Sequence, residues 1–94
     1  MGITRLPSSS SVIKSVQRGT ASIADTATTT NVTITAVDMS KTMCNITFYC
    51  STANNEPTMM PWVRLTSTTN LELKRNTGTA GQTVYVSWEV IEYV

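Results

Sequence analysis

Histidine is absent from the chain, and only 14% of its 94 residues are charged, with a net charge of +1. Without an imidazole base, serine or cysteine triads of the hydrolase type cannot form. The near-neutral balance supplies neither a basic field for nucleic acid nor an acidic tail. The composition therefore excludes imidazole-based catalysis and predicts that nucleic acid is not a partner.

Long apolar runs are missing too, since no stretch approaches the roughly 20 residues that cross a bilayer. The N-terminal text MGITRLPSSSS has no apolar centre of a signal peptide and does not fit the myristoylation pattern. We therefore expect a soluble chain that has no membrane partner and is not exported by the general pathway.

Sites for phosphates, metals or paired carboxylates are poorly represented. Gly78 and Gly81 lie between two predicted strands, with no following helix to bind a phosphate. Glu89 and Glu92 fall on opposite faces of the last predicted strand, whereas a glycosidase needs two carboxylates about 5 to 9.5 Å apart. We predict that the protein is not an enzyme and holds no cofactor or metal.

The only cysteines are Cys44 and Cys50, in the run MCNITFYC. In one strand, six residues separate them by about 20 Å, whereas a disulfide needs Cα atoms within about 7 Å. They cannot bridge each other there. We interpret both as small buried side chains on the face of Ile46 and Phe48, with a redox or ligand role as the alternative.

Threonine and serine are abundant, with 18 Thr and 10 Ser in the chain. This excess favours half-buried pleated surfaces over helices, because threonine is stiff at its first side-chain torsion. The sequence therefore predicts an all-β fold.

The clearest strand signal is the final run TVYVSWEVIEYV, from Thr83 to Val94. It alternates with period two and would extend about 36 Å, so it needs partner strands along both edges. One parity predicts a buried face, made of Val84, Val86, Trp88 and Val90. The other parity carries an outward apolar row, in which we predict a subunit contact through Tyr85, Ile91 and Tyr93.

About seven strands separated by polar turns are the pattern of a small antiparallel sandwich or barrel. The predicted strands are 12–18, 20–24, 32–37, 43–51, the run MMPWVRLT, 70–75 and 83–94. Gly19 marks a bulge or bend, and the charges of Lys14 and Arg18 place the first strand at an edge or under partial cover. Val32, Ile34 and Ala36 are predicted to face inward. We expect 32–37 to form a hairpin with 43–51, and 70–75, with Leu71 and Leu73 inward, to form one with the terminal strand.

Two segments have open interpretations. Residues 1–11 are predicted to form a polar arm outside a sandwich domain at 12–94, either disordered or ordered on a neighbouring subunit or a larger assembly. Pro61 cannot donate to a ladder, so its strand lies at an edge or begins after it. Trp62 either covers one end of the core or joins Met59 and Met60 in a subunit or partner contact.

Four motifs in order, SVIKSVQRGTASI, VTITAVDMSK, RLTSTTNLELKR and TVYVSWEVIEYV, resemble a group of short virion structural and tail-associated proteins of tailed bacteriophages. The resemblance spans about residues 12 to 94. It implies a small β-sandwich virion component, a homotrimer, on the capsid, neck or tail. Nothing in it extends to the MMPW run or to the cysteines.

We therefore predict a virion structural protein made in the host cytoplasm, most simply a capsid decoration or cement protein. Its partners would be further copies of itself and the major capsid or tail protein. The alternative is a tail- or neck-associated module that binds a receptor or glycan, with loop asparagines and aromatic residues such as Trp62 or Tyr93 stacking on sugars.

Overall fold

The computed structural model describes residues 12–50, 60–76 and 82–94, so the predicted arm at 1–11 lies outside the described residues. These described residues form six strands and one short 3-10 turn: β1 (Ile13–Ile23), β2 (Thr29–Thr33), the turn Met39–Lys41, β3 (Thr42–Cys50), β4 (Trp62–Ser67), β5 (Asn70–Lys74) and β6 (Val84–Tyr93). They form two antiparallel three-stranded sheets: sheet A in the order β1-β6-β3 and sheet B in the order β2-β5-β4. The predicted all-β antiparallel sandwich is confirmed.

The terminal strand β6 is the centre of sheet A, with β1 along one edge and β3 along the other. This confirms the expectation that it has partners on both sides. Val84, Val86 and Val90 are buried on its inner face, and Trp88 is half-buried there. The predicted faces of this strand are therefore correct.

The core between the sheets consists of two adjoining clusters. Both contain a leucine from β5 and at least one valine from β6, because these two central strands face each other. The clusters are Ile23, Leu73, Val84 and Val86, and Ile34, Val37, Leu71 and Val90. Leu71 and Leu73 point inward, as predicted.

Gly19 does not interrupt the first strand. The prediction of separate strands at 12–18 and 20–24 is wrong, because β1 runs through Gly19, paired with Trp88 in the ladder. A Cβ on Gly19 would lie 2.6 Å from Trp88 Cζ2. The glycine therefore provides space for the indole ring, and the irregularity lies instead at Lys14, between Ile13 and Ser15.

The predicted hairpin of 32–37 with 43–51 is wrong, because β2 belongs to sheet B and β3 to sheet A. After Thr33 the chain leaves the sheet, and the amides of Ile34 and Val37 donate to carbonyls of the β4–β5 turn at 2.9 and 3.0 Å. The strand period ends at this point. Val37 is consequently buried, and Ala36, predicted inward, is exposed.

The predicted hairpin of 70–75 with the terminal strand is also wrong. β5 pairs with β2 and β4, and the hairpin in this region is β4–β5, closed at Thr68 and Thr69. β4 begins directly after Pro61 at the edge of sheet B, and β1 is an edge of sheet A, both as expected.

Candidate interaction surface

The outer face of sheet A is built from alternate residues of β1, β6 and β3, and the ladder register sets them in rows. The rows, each in the order β1, β6, β3, are Ser22–Tyr85–Tyr49, Thr20–Ser87–Thr47, Arg18–Glu89–Asn45 and Val16–Ile91–Met43. The face thus changes from aromatic, through small and polar, to charged and finally apolar.

The apolar end of this face gathers side chains from all three strands. We call it the outer apolar cluster: Ile13, Val16, Met43, Ile91 and Tyr93. Val16 and Met43 remain 41% and 44% exposed, and Ile91 between them is half-buried. A contiguous exposed apolar patch on a small sheet commonly marks a contact with another protein.

A charged row bounds the outer apolar cluster. Arg18 Nε donates to Glu89 Oε2 at 2.6 Å, and Asn45 Nδ2 donates to Glu89 Oε1 at 3.4 Å. The hydrogen bond from Arg18, followed by that from Asn45, lowers the pKa of Glu89. The row is solvent-accessible, so its ion pair contributes little to the stability of the fold. It separates the apolar end of the face from the aromatic end.

The aromatic end holds a stacked cross-strand pair. The rings of Tyr49 and Tyr85 have centroids 5.0 Å apart and planes 24° apart. Beside them lies an open depression of about 360 Å³, partly lined by Thr20, Ser22 and Ser87. Tyr49 is 67% exposed, so an aromatic surface adjoins a row of hydroxyl groups.

The predicted contact residues do not form one surface. Ile91 and Tyr93 belong to the outer apolar cluster, whereas Tyr85 lies six residues from Ile91, about 20 Å along the strand. Trp62 is 42% exposed on the outer face of sheet B, opposite Lys74 in the ladder, and is not among the described side chains packed on the core.

Met60 is exposed just before β4, and Met59 lies outside the described residues. The outward position of Trp62 favours its interpretation as a contact residue over that of a core cover.

Sequence reasoning did not identify Ile13, Val16, Met43 and Tyr49 as members of this face. The outward parity of Val16, Met43 and Tyr49 was visible in the alternation of β1 and β3, whereas Ile13 reaches this face only through the irregularity at Lys14. Only the pairing of both strands with β6 brings these residues beside the outward side chains of β6. The alternation along a strand shows which face each residue occupies, but it does not show which strands lie beside it.

Glu92, the second carboxylate of β6, points inward and serves the fold. Its Oε2 accepts a hydrogen bond from the amide of Asp38 at 2.9 Å, and its Oε1 accepts one from the Ser15 hydroxyl at 3.3 Å. The Lys14 ammonium lies 3.7 Å from it. Asp38 in turn begins the 3-10 turn and accepts from the Ser40 side chain and amide, which lowers the pKa of Asp38.

Within residues 12–50, 60–76 and 82–94, no group of three or more His, Cys, Asp or Glu side chains could hold a metal ion. The same residues contain no helix of the length and apolarity that a membrane crossing requires.

In comparisons with family models, curated proteins and solved structures, none matches this chain. The resemblance to phage virion proteins therefore stays a prediction from the sequence motifs.

Proposed function

We propose that this protein is a structural component of a tailed-phage virion, a decoration or cement protein that binds the assembled shell. The observation that supports this role is the outer apolar cluster, in which three strands present apolar side chains on one sheet face. The sequence motifs support the virion setting. Glu89 and Glu92 face opposite sides of β6, so these two carboxylates do not form a glycosidase pair.

The mechanism of such a protein is mass action. A protein that binds only the assembled shell lowers the free energy of the shell relative to its dissociated subunits, by an amount that grows with the free concentration of the binder. An apolar patch on a sheet suits this task because it can bury surface against a rigid partner without rearrangement of the strands beneath it.

The partner surface is expected to be an apolar region of the major shell protein. On one side the outer apolar cluster ends at the Arg18–Glu89 ion pair, which adds no net charge at that border. Burial of the outer apolar cluster therefore supplies the affinity, and the Arg18–Glu89 pair lies at the border of the contact.

The proposal is tested by adding purified protein to particles that lack it and measuring the bound copies by sedimentation. We expect hundreds of copies per particle for the wild type. Val16→Asp, which places a charge in the outer apolar cluster, should reduce binding at least tenfold. Thr20→Asp is the matched control, since Thr20 lies on the same face of the same strand outside the cluster.

A handful of wild-type copies per particle would contradict a decoration role and favour the tail or neck. Equal binding by Val16→Asp and Thr20→Asp would contradict the assigned surface. Circular dichroism of both variants establishes that each remains folded.

The second candidate function is glycan binding, which the aromatic end of the same face favours. Sugars stack on aromatic rings and bind hydroxyl groups, and Tyr49, Tyr85 and the adjoining depression offer both. Binding to purified host surface polysaccharide, followed by calorimetry, tests it. Tyr49→Ala should abolish binding and Tyr93→Ala should not, whereas equal binding by both variants would contradict the candidate.

A further inference from the structure

β3 is the outermost strand of sheet A in the described part of the chain. Its nine residues, TMCNITFYC, include no charged residue, no proline and no glycine. A strand of this kind presents a row of unpaired backbone donors and acceptors, with nothing in its sequence that repels a further strand.

The other sheet edges each carry a feature that opposes pairing. β1 has the irregularity at Lys14 and the charge of Arg18, and β4 follows Pro61 and contains Arg64. β2 is only five residues long. Such charges, prolines, irregularities and short lengths are the devices by which sheet proteins avoid edge association.

The sandwich has two sides at which an edge of sheet A lies beside an edge of sheet B. These sides differ in the hydrogen bonds that join the two sheets. On the β1–β2 side, the Thr30 hydroxyl donates to the carbonyl of Ser22 at 2.6 Å, and the Gln17 amide exchanges two hydrogen bonds with the backbone of Thr35. On the other side, no hydrogen bond joins β3 to β4 among the described residues. Phe48 of β3 lies on the inner parity and is still 40% exposed.

We propose that the free edge of β3 pairs antiparallel with β3 of a second copy of the chain, with the two-fold axis at Thr47. The two sheets A then form one sheet of six strands. This pairing does not depend on where the protein acts.

This register makes the run CNITFYC complementary to itself. Thr47 lies opposite Thr47 of the second copy, Ile46 opposite Phe48, and Asn45 opposite Tyr49. Threonine pairs and pairs of β-branched with aromatic residues are favourable across strands. No charge is buried, because the strand contains none.

The interface has a modest area. Nine residues extend about 31 Å, and two sheets with their outer side chains are about 20 Å deep, which gives roughly 600 Å² per copy. Specific complexes bury about 800 Å² per partner, so we expect a dimer that dissociates on dilution.

In this register, cysteines of the two copies come close together, and a cross-linking experiment can detect this proximity. Within one chain they lie about 20 Å apart, but Cys44 would lie opposite Cys50 of the second copy, with Cα atoms about 4.5 to 5.5 Å apart. That separation suits a disulfide. Each bond formed releases two hydrogen atoms, which an added diazene oxidant such as diamide accepts.

The first experiment treats the full chain with diamide at alkaline pH, because burial raises the pKa of the Cys44 thiol. We expect a covalent wild-type dimer on a non-reducing gel. Cys44→Ser and Cys50→Ser should each stay monomeric, because neither retains an opposed pair. Mixed in equal amounts, the two variants should form cross-linked heterodimers, at most about half of all dimers by random pairing. Cross-linking of either variant alone would overturn the proposed register.

The second experiment measures the mass of the untreated full chain by light scattering over a concentration series. Thr47→Lys places two lysines directly opposite each other at the axis and should weaken the dimer at least roughly tenfold. Thr20→Lys is the matched control, because Thr20 occupies the same row on the opposite edge strand. Equal masses for both variants, a wild-type trimer or a wild-type monomer throughout the series would overturn the proposal.

Discussion

Gly19 lies on the inner face of β1, where the indole ring of Trp88 covers it. A Cβ at this position would be 2.6 Å from Trp88 Cζ2 and 2.8 Å from Cε2, closer than packed atoms approach. The contact explains why a residue that usually weakens a strand occurs in the middle of an eleven-residue one. The glycine and the tryptophan therefore form one packing unit.

Gly19→Ala is expected to lower the free energy of unfolding by about 1 to 3 kcal/mol, the usual cost of extra volume in a packed core. This cost exceeds the roughly 0.4 to 1 kcal/mol gained from a less flexible unfolded chain. Urea unfolding followed by tryptophan fluorescence measures it. Thr20→Ala, on the exposed face, should change stability by no more than about 0.5 kcal/mol, and equal effects of the two changes would contradict the packing account.

Glu89 predicts a specific pH dependence. Its pKa in the folded protein lies below the ordinary value of 4.5, first because of the hydrogen bond from Arg18 and second because of that from Asn45. A carboxylate with a lowered folded-state pKa stabilises the fold above the unfolded pKa, and this contribution is lost as the pH falls through the folded pKa. The stability that Glu89 adds should therefore be present at neutral pH and absent in strong acid.

The measurement compares the urea midpoints of the wild type and Glu89→Gln from pH 7 to pH 3. We expect the wild type to be more stable at pH 7 and the difference to shrink as the pH falls below about 4.5. Added salt should also reduce the difference, because the pair is solvent-accessible. A difference that is constant with pH would contradict the role of the charge.

The connection from β5 of sheet B to β6 of sheet A depends on Arg75. This residue follows β5 and is only 1% exposed. Its guanidinium donates to the carbonyls of Ala24, Asp25, Ala27 and Gln82 at 2.6 to 2.9 Å. The side chain thus joins the β1–β2 connection to the segment that enters β6.

Arg75→Met is expected to destabilise the fold by about 3 kcal/mol or more. It leaves one buried and three partly buried carbonyls without this donor, and an unsatisfied buried carbonyl costs about 1 to 3 kcal/mol. Arg64→Met is the matched control, because Arg64 makes an exposed ion pair with Glu72 at 2.7 Å, worth about 0 to 1 kcal/mol. Thermal unfolding of both variants measures the contrast, and similar melting temperatures would refute the structural role of Arg75.

The sequence predicted which side of a strand faces the core better than it predicted which strands pair with each other. Alternation correctly identified the inward sides of Val84 to Val90 in β6 and of Leu71 and Leu73 in β5, because burial imposes a period of two on any strand. It could not distinguish a hairpin from a crossing to the other sheet. The segments after Thr33 and after Arg75 are as short as hairpin loops, yet both connect different sheets.

The same limit applied to the candidate surface. Ile91 and Tyr93 were recognised as outward apolar residues from β6 alone. Val16 and Met43 complete the outer apolar cluster only through the ladder register, which depends on contacts between residues far apart in the chain. Those pairings are tertiary facts that local alternation does not encode.

The sandwich has separate surfaces for the two proposed contacts, one with a shell and one with a second copy of the chain. The outer apolar cluster lies on the face of sheet A, and the edge of β3 lies in the plane of that sheet. Met43 touches both, since it belongs to the cluster and to β3, whereas Val16 and Thr47 each belong to one. Changes at these two positions can therefore separate self-association from binding to a shell.

Two single variants and their double variant test this separation. Val16→Asp should bind shells at least about tenfold more weakly and still form the disulfide-linked dimer, because β1 lies two strands away from the pairing edge. Thr47→Lys should form the dimer at least roughly tenfold more weakly. It should therefore also bind shells more weakly, because a dimer engages two sites at once and gains from effective concentration. The double variant should show both losses. A monomeric Val16→Asp that remains folded would mean that the outer apolar cluster is itself the contact between copies, and the edge of β3 would then lose its role.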